Sequence, residues 1–227
     1  MPDIVVLVHT ISPLISLFDE LSAEVLPGVL VKHILDEPLL EAIHRRGGLV
    51  AADSARLLDH IKMAEVISSR VVLVTCSTVS PLIDNLRPLT ALSIVSINDA
   101  MVTAVIQVAS RIGILATGEL ELNSMQEMLD KESRKEGKSI SVEPQVVAGA
   151  AAALSGGDMK MYEDLIHKAI LDISPRVEAI ALAQASMARI LDSIPGEGRR
   201  VPVFTSPRMA LEQVRSELGK LGWGRVS

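Results

Sequence analysis

The chain has 227 residues, enough for one large or two small domains with a real hydrophobic core, and 48% of them are hydrophobic, which excludes a disordered protein. Aromatic residues are only 2% of the total, too few for stacking platforms on single-stranded nucleic acid. A formal net charge of −6, with no Lys/Arg run beyond the pair in "GRR", argues against a nucleic-acid partner.

The first element is a strand over "DIVVLVH" (3–9), followed by an amphipathic helix over "PLISLFDELSAEVL". Strands follow over 29–34, 70–76 and 92–97, then over 111–117, 140–146, 177–183 and 201–206. Their continuous apolar, β-branched runs suit strands covered on both faces. A second helical pattern, "AADSARLLDHIKMAEVISS", places Ala55, Leu58, Ile61 and Val66 on one face, with Asp53 and Ser54 as N-terminal caps. Ser12-Pro13 and Ser80-Pro81 each read as a capping residue before Pro, and Gly47-Gly48 as a helix end and turn. "SGGD" (155–158) lacks the strand and the Lys-Ser/Thr ending of a phosphate loop. Strand–helix alternation of this kind predicts an α/β fold with parallel sheets.

The two halves repeat. Cys76 and Gln184 stand 108 residues apart, and the same shift lays "IVVLVHT" (4–10) on "IGILATG" (112–118), Asp84 on Asp192 and Met101 on Met209. The expected architecture is therefore two pseudo-symmetric lobes, each a mainly parallel four-stranded sheet flanked by helices. One lobe is expected to hold 1–98 plus 207–227 and the other 99–206, with the strand ends of both turned to a shared cleft.

The strand ends carry the polar side chains. They are His9-Thr10 and Thr117-Gly118 after the first strands, and Cys76-Ser77-Thr78 and Gln184-Ala185-Ser186 after the third. Ser96-Ile97-Asn98 and Thr205-Ser206-Pro207 follow the fourth. Helices beginning after Cys76 and Gln184 are expected to aim backbone N–H groups at a carboxylate or oxyanion, helped by Ser77, Thr78 and Ser186. The same helix start is expected to lower the Cys76 pKa towards thiolate. Each hydroxyl reads equally as a helix cap, and a lone Cys can also be an inert buried thiol. His9 is either a general acid/base or a structural hydrogen-bonding group. His33 falls in the second strand, while His44, His60 and His167 read as solvated or structural. No set of His, Cys and carboxylates has metal-ligand spacing.

"TCST" (Thr75 to Thr78) matches the first cysteine motif of the aspartate/glutamate racemase superfamily, and the chain resembles that superfamily over its whole length. Hydantoin racemases, maleate isomerases and arylmalonate decarboxylases belong to it. "LAQASMAR" falls on the second motif, where typical racemases have Cys-Thr and this chain has Gln184-Ala185. His9 replaces the acidic residue that many amino-acid racemases carry after the first strand. The resemblance implies cofactor-independent chemistry at the carbon α to a carboxylate of a small molecule. Cys76 is then the sole thiol acid/base or nucleophile, His9 and Gln184 are catalytic candidates, and Thr10, Ser77, Thr78, Asn98, Thr117, Ala185 and Ser186 are substrate-binding candidates. A carboxamide has no titratable proton near neutral pH, so Gln184 cannot act as a second thiol. The alternatives are a decarboxylase of a malonate-like acid and an inactive carboxylate-binding protein. The expected setting is cytoplasmic: one cysteine forms no intramolecular disulfide, the start "MPDIVVLVHT" lacks a basic leader, and no apolar run reaches a membrane span. A homodimer or higher homo-oligomer is an expected arrangement.

Overall fold

The computed structural model describes residues 3–193 and 200–223; Gly198 and Arg199 of "GRR" lie outside the described residues, as does the side chain of Asp192. The chain forms two units, Met1–Asp99 with Pro207–Ser227 and Ala100–Ser206. Each is an α/β unit built on a four-stranded parallel sheet flanked by helices.

In unit one, β1 (Ile4–His9) and β3 (Val71–Val74) are the central strands, between β2 (Leu30–Leu35) and β4 (Ser93–Ser96), giving the order β2-β1-β3-β4. The central pair is made of Val and Leu and is fully buried from Val5 to Val8 and from Val71 to Val74. A strand covered on both faces needs apolar residues at every position, so periodicity disappears there. The edge strand β2 is half-exposed and carries Lys32 and His33. Helix α1 (Pro13–Val25) starts with Pro at its first position after Ser12, whose hydroxyl makes no capping bond. Helix α2 (Glu37–Arg46) is capped by Asp36 and ends on Gly47, whose φ of 75° is the left-handed conformation glycine adopts without strain.

Helix α3 (Ala51–Val66) differs from the expected face. Leu57, Ile61 and Ala64 are buried, while Ala55 is exposed and Val66 is 84% exposed. The spacing i, i+4, i+7 is the true stripe. The adjacent Leu58 competes for it in sequence but falls about 100° away on the helix. Asp53 does not sit at the cap: it is the third helical residue and accepts from the Val50 N–H at 2.8 Å. The 3-10 segment Ser77–Leu82 follows β3, leading into α4 (Ile83–Leu86). Ser80-Pro81 lies inside that segment and not at a helix start, and Ser80 Oγ donates to the Cys76 carbonyl at 3.3 Å.

Helix α5 (Asp99–Val108) leads into unit two, where the order is β6-β5-β7-β8. Its strands are β5 (Arg111–Ala116), β6 (Ser141–Val146), β7 (Ala179–Leu182) and β8 (Val203–Phe204). Its helices are α6 (Glu119–Lys135), α7 (Ala150–Ser155), α8 (Met159–Ile173) and α9 (Ile190–Ser193). Helix α10 (Ser206–Lys220) runs into unit one. Pro144 is tolerated in β6 because an edge strand leaves one side of its backbone unpaired. The apolar core on one side of this sheet gathers Tyr162, Ile166, Ile170 and Ile173 of α8 against Leu115, Ile180 and Leu182. Gly113 in β5 permits the close approach of α8, since a Cβ there would lie 3.0 Å from Ile173 Cδ1. "SGGD" closes α7 and starts α8, with Asp158 accepting from the Met161 N–H at 3.0 Å.

The two sheets repeat with local slips. β3 and β7 correspond at the expected shift of 108, but Val5 pairs Val71 where Ile112 pairs Ala179. Ile112 thus answers to Val5 and not to Ile4, and His9 corresponds to Ala116, not Thr117. The register brings Thr10 onto Thr117.

Candidate functional site

The carboxyl edge of the first sheet gathers the candidate residues of unit one. β1 ends in His9, followed by Thr10; β3 is followed by Thr75, Cys76, Ser77 and Thr78; β4 is followed by Ile97 and Asn98. All of these side chains are buried, with Cys76 at 5% exposure and His9 and Asn98 at 0%. A parallel sheet releases its strands at this edge, and the chain must turn there. The polar residues occupy the turns.

Cys76 holds extended backbone (φ −98°, ψ 114°) immediately before the 3-10 segment Ser77–Leu82. Its sulfur lies among the hydroxyls of Thr10 and Thr78 and the backbone N–H groups of Thr78 and Val79. Burial pushes the thiol above its ordinary pKa, and these donors, all of which favour the thiolate, offset it only in part. This corrects the sequence expectation of a lowered value. A short 3-10 turn has a weak dipole and two usable N–H groups, and they do not outweigh loss of water. The resting group is a neutral S–H with an oxyanion-like cradle already around it.

His9 does not present a free ring nitrogen. Its Nδ1 lies 2.8 Å from Thr75 Oγ1, and its Nε2 lies 2.8 Å from His33 Nδ1. His33 Nε2 in turn lies 3.0 Å from Asp19 Oδ1. Burial, and then the neighbouring His33, lower the His9 pKa to about 3 against the opposing pull of Asp19, so the ring is neutral near pH 7. Behind the sheet edge, Ser96 Oγ donates to Ser80 Oγ at 2.8 Å, and Asp99 accepts from the Ser96 N–H at 3.1 Å.

Sequence reasoning missed one cluster at the same edge. Asp36, directly after β2, is 4% exposed and takes two bonds from Arg56 (2.7 and 2.6 Å), one from His60 Nε2 (2.6 Å) and one from the Leu39 N–H (3.1 Å). Burial alone would raise its pKa, yet the Arg56 and His60 bonds hold it below the ordinary carboxylate range. The pattern "DEP", a capping residue two positions before Pro, was the available signal.

In unit two the corresponding edge holds Thr117, Gln184, Ala185 and Ser186. Gln184 stands before a 3-10 turn, Ala185–Met187, as Cys76 does in unit one. Its Oε1 accepts the Thr117 N–H at 2.7 Å, leaving the amide NH2 as donor. Ser186 Oγ lies 3.4 Å from the Tyr162 hydroxyl, and Ala185 is buried with no polar side chain to offer. Neither strand is followed directly by the α-helix that the sequence suggested.

Among the described residues, no group of three His, Cys, Asp or Glu is placed to hold a metal ion, and no helix is long and apolar enough to cross a membrane.

Comparison with solved structures places this fold among racemases. Glutamate racemase from Francisella tularensis, in complex with D-glutamate, matches with a TM-score of 0.74 at 15% identity, over 100% of this chain and 84% of that one. Picrophilus torridus aspartate racemase matches with a TM-score of 0.71 at 16% identity, over 96% and 94% of the two chains. An arylmalonate decarboxylase matches with a TM-score of 0.58 at 16% identity, over 98% and 94%. No curated protein matches the chain by sequence. The family model for Asp/Glu/Hydantoin racemase, however, matches residues 13–214. With two parallel sheets of the same strand order and a thiol at the edge of the first, the chain belongs to the Asp/Glu/hydantoin racemase family.

Proposed function

We propose that the protein is a cofactor-independent enzyme acting at the carbon α to a carboxylate of a small molecule, with Cys76 as its only thiol acid/base. The observation that carries this reading is the setting of the Cys76 sulfur. It sits at the carboxyl edge of a parallel sheet, where such folds bind ligands, among two hydroxyls and two backbone N–H groups. Once ionised, Cys76 is stabilised by these donors and takes the α-proton, leaving an enediolate; the S–H so formed exchanges with solvent and returns a proton to the same face of the carbon. Gln184 supplies amide hydrogens that can orient a carboxylate or carbonyl oxygen, and it moves no proton. Proton delivery from a single thiol makes exchange at the α-carbon stereospecific.

The raised thiol pKa favours a second reading, decarboxylation of a malonate-like acid. Loss of CO2 leaves an electron pair on the α-carbon, delocalised into the remaining carboxylate. Cys76 S–H donates one proton to that carbon, and the thiolate is reprotonated from water. Only one acid is needed, and it must start protonated.

A thermal-shift screen of mono- and dicarboxylates finds the ligand, because binding to the native state raises Tm. The hit is then incubated in heavy water with wild type and with Cys76→Ser. Deuterium uptake with retained configuration supports the isomerase-type reading, and CO2 release giving one enantiomer supports the decarboxylase. Binding without exchange or CO2 release would make the protein a carboxylate binder.

A further inference from the structure

Helix α3 carries a second stripe that does not face the core. Leu57, Ile61 and Ala64 are buried, and the opposite side presents Ala55, Asp59, Lys62 and Val66 to solvent. At about 100° per residue these four fall within about 60° of one another around the helix. Val66 is 84% exposed, and the exposed Met63 and Ile67 stand beside it. The outward side of α8 is different: it pairs its charges along the helix, Lys160 with Asp164 and Lys168 with Asp172. On α3, Asp59 and Lys62 stand one turn apart, and among the described residues neither has an ion-pair partner.

The order of the stripe is self-complementary. A two-fold axis passing between Asp59 and Lys62, set across two antiparallel copies of α3, places Asp59 opposite the partner's Lys62. Ala55 lies four residues before Asp59, and Val66 lies four residues after Lys62. The same axis therefore sets Ala55 opposite the partner's Val66, so the most exposed apolar side chain meets a residue small enough to leave room for it. Each contact occurs twice, as an isologous interface requires. A parallel pairing would bring Asp59 against Asp59 and Lys62 against Lys62. The charges thus select the antiparallel arrangement.

We infer that the outward face of α3 is the contact surface for a second copy of this chain, closed by two Asp59–Lys62 ion pairs around an apolar strip of Ala55, Met63 and Val66. A single helix crossing buries less than the about 1,200 Å² of a standard interface, so the dimer has a micromolar Kd. The pairing belongs to the resting protein, needs no substrate and goes beyond the proposed chemistry.

The test is sedimentation velocity of the full chain from low micromolar to tenth-millimolar concentration, with the helical circular dichroism signal as the check on folding. Wild type is expected to pass from monomer to dimer over that range. Val66→Asp is expected to stay monomeric with an unchanged helical signal. Asp59→Lys and Lys62→Asp each set like charges across the axis, and each is expected to weaken the dimer roughly tenfold. The double variant Asp59→Lys/Lys62→Asp reverses both pairs and is expected to restore wild-type association. A wild type that stays monomeric throughout would overturn the inference and leave the stripe to a different protein. A dimer untouched by Val66→Asp would overturn it by placing the interface elsewhere. Weakening by the single charge variants that the double variant does not repair would overturn the antiparallel register.

Discussion

Gln184 Oε1 accepts the backbone N–H of Thr117 at 2.7 Å, and the register of the two sheets makes this pair the counterpart of Cys76 and Thr10. In each unit the residue after the third strand reaches back to the residue after the first. In unit one the reach is a thiol met by a hydroxyl; in unit two it is an amide oxygen met by a main-chain donor. Gln184 therefore does more than fill the place of a thiol. It satisfies a main-chain donor that a shorter side chain would leave open.

Gln184→Cys should accordingly have two effects. Loss of the acceptor for the Thr117 N–H is expected to cost about 1 kcal/mol, read as a lowered Tm. The added thiol supplies a second titratable group, so heavy-water exchange should begin to scramble configuration. Gln184→Ala removes the acceptor without adding a titratable group, so it should show the same loss of Tm without the scrambling.

Cys76 is expected to alkylate more slowly than a free thiol at neutral pH, because burial raises its pKa. The rate against pH should have its midpoint above the ~8.5 of an ordinary thiol. A raised pKa means that the folded state holds its proton where the unfolded state has lost it. Its contribution to stability is thus present below the unfolded pKa and is lost as pH rises through the folded one. Cys76→Ser should flatten that alkaline limb and lower turnover by roughly 10²-fold or more.

Asp36 predicts the opposite limb. Its folded pKa is depressed, against the effect of burial, by Arg56 and His60, so its contribution is present above ~3.9 and is lost as pH falls through the lower folded value. Asp36→Asn should reduce stability near pH 7 by about 2 kcal/mol and flatten the acid limb of a urea-unfolding series. An unchanged acid limb would show that the cluster carries no net stabilisation.

Gly113→Val should cost about 1–3 kcal/mol through overpacking, since the new Cβ alone would lie 3.0 Å from Ile173 Cδ1 and 3.4 Å from Val177 Cγ2. Denaturant midpoints measure it, and Gly113→Ala should lie between wild type and Val.

The central strands were legible because runs such as "VVLV" and "AIAL" have no alternative burial once they sit in a parallel sheet. The repeat was legible at β3 and β7 for the same reason. The slip at β1 was not, because both first strands are apolar along their centres, Ile4–Val8 and Ile112–Ala116. A letter match at either register looks equally good, and an extra residue in a loop leaves the sheet unchanged. Burial of Cys76 decides its pKa, and burial is a property of neighbours the sequence does not place beside it. The bonds of Asp36 with Arg56 and His60, and of His33 with His9 and Asp19, join residues 14 to 24 positions apart through the edge strand β2 and its neighbouring helices. No spacing rule reaches that far.

The edge strands have a consequence for solubility. The segments most prone to intermolecular pairing are the Val- and Leu-rich centres of β1 and β3, and both are paired on each side. What each sheet presents outward is poor for strand addition: Lys32 on β2, Pro144 on β6, four residues in β4 and two in β8. The native protein therefore resists growing fibrils from its edges, and aggregation requires a sheet to open. Losses of stability that expose β1 or β3 will appear first as turbidity on heating, ahead of any loss in the helical signal.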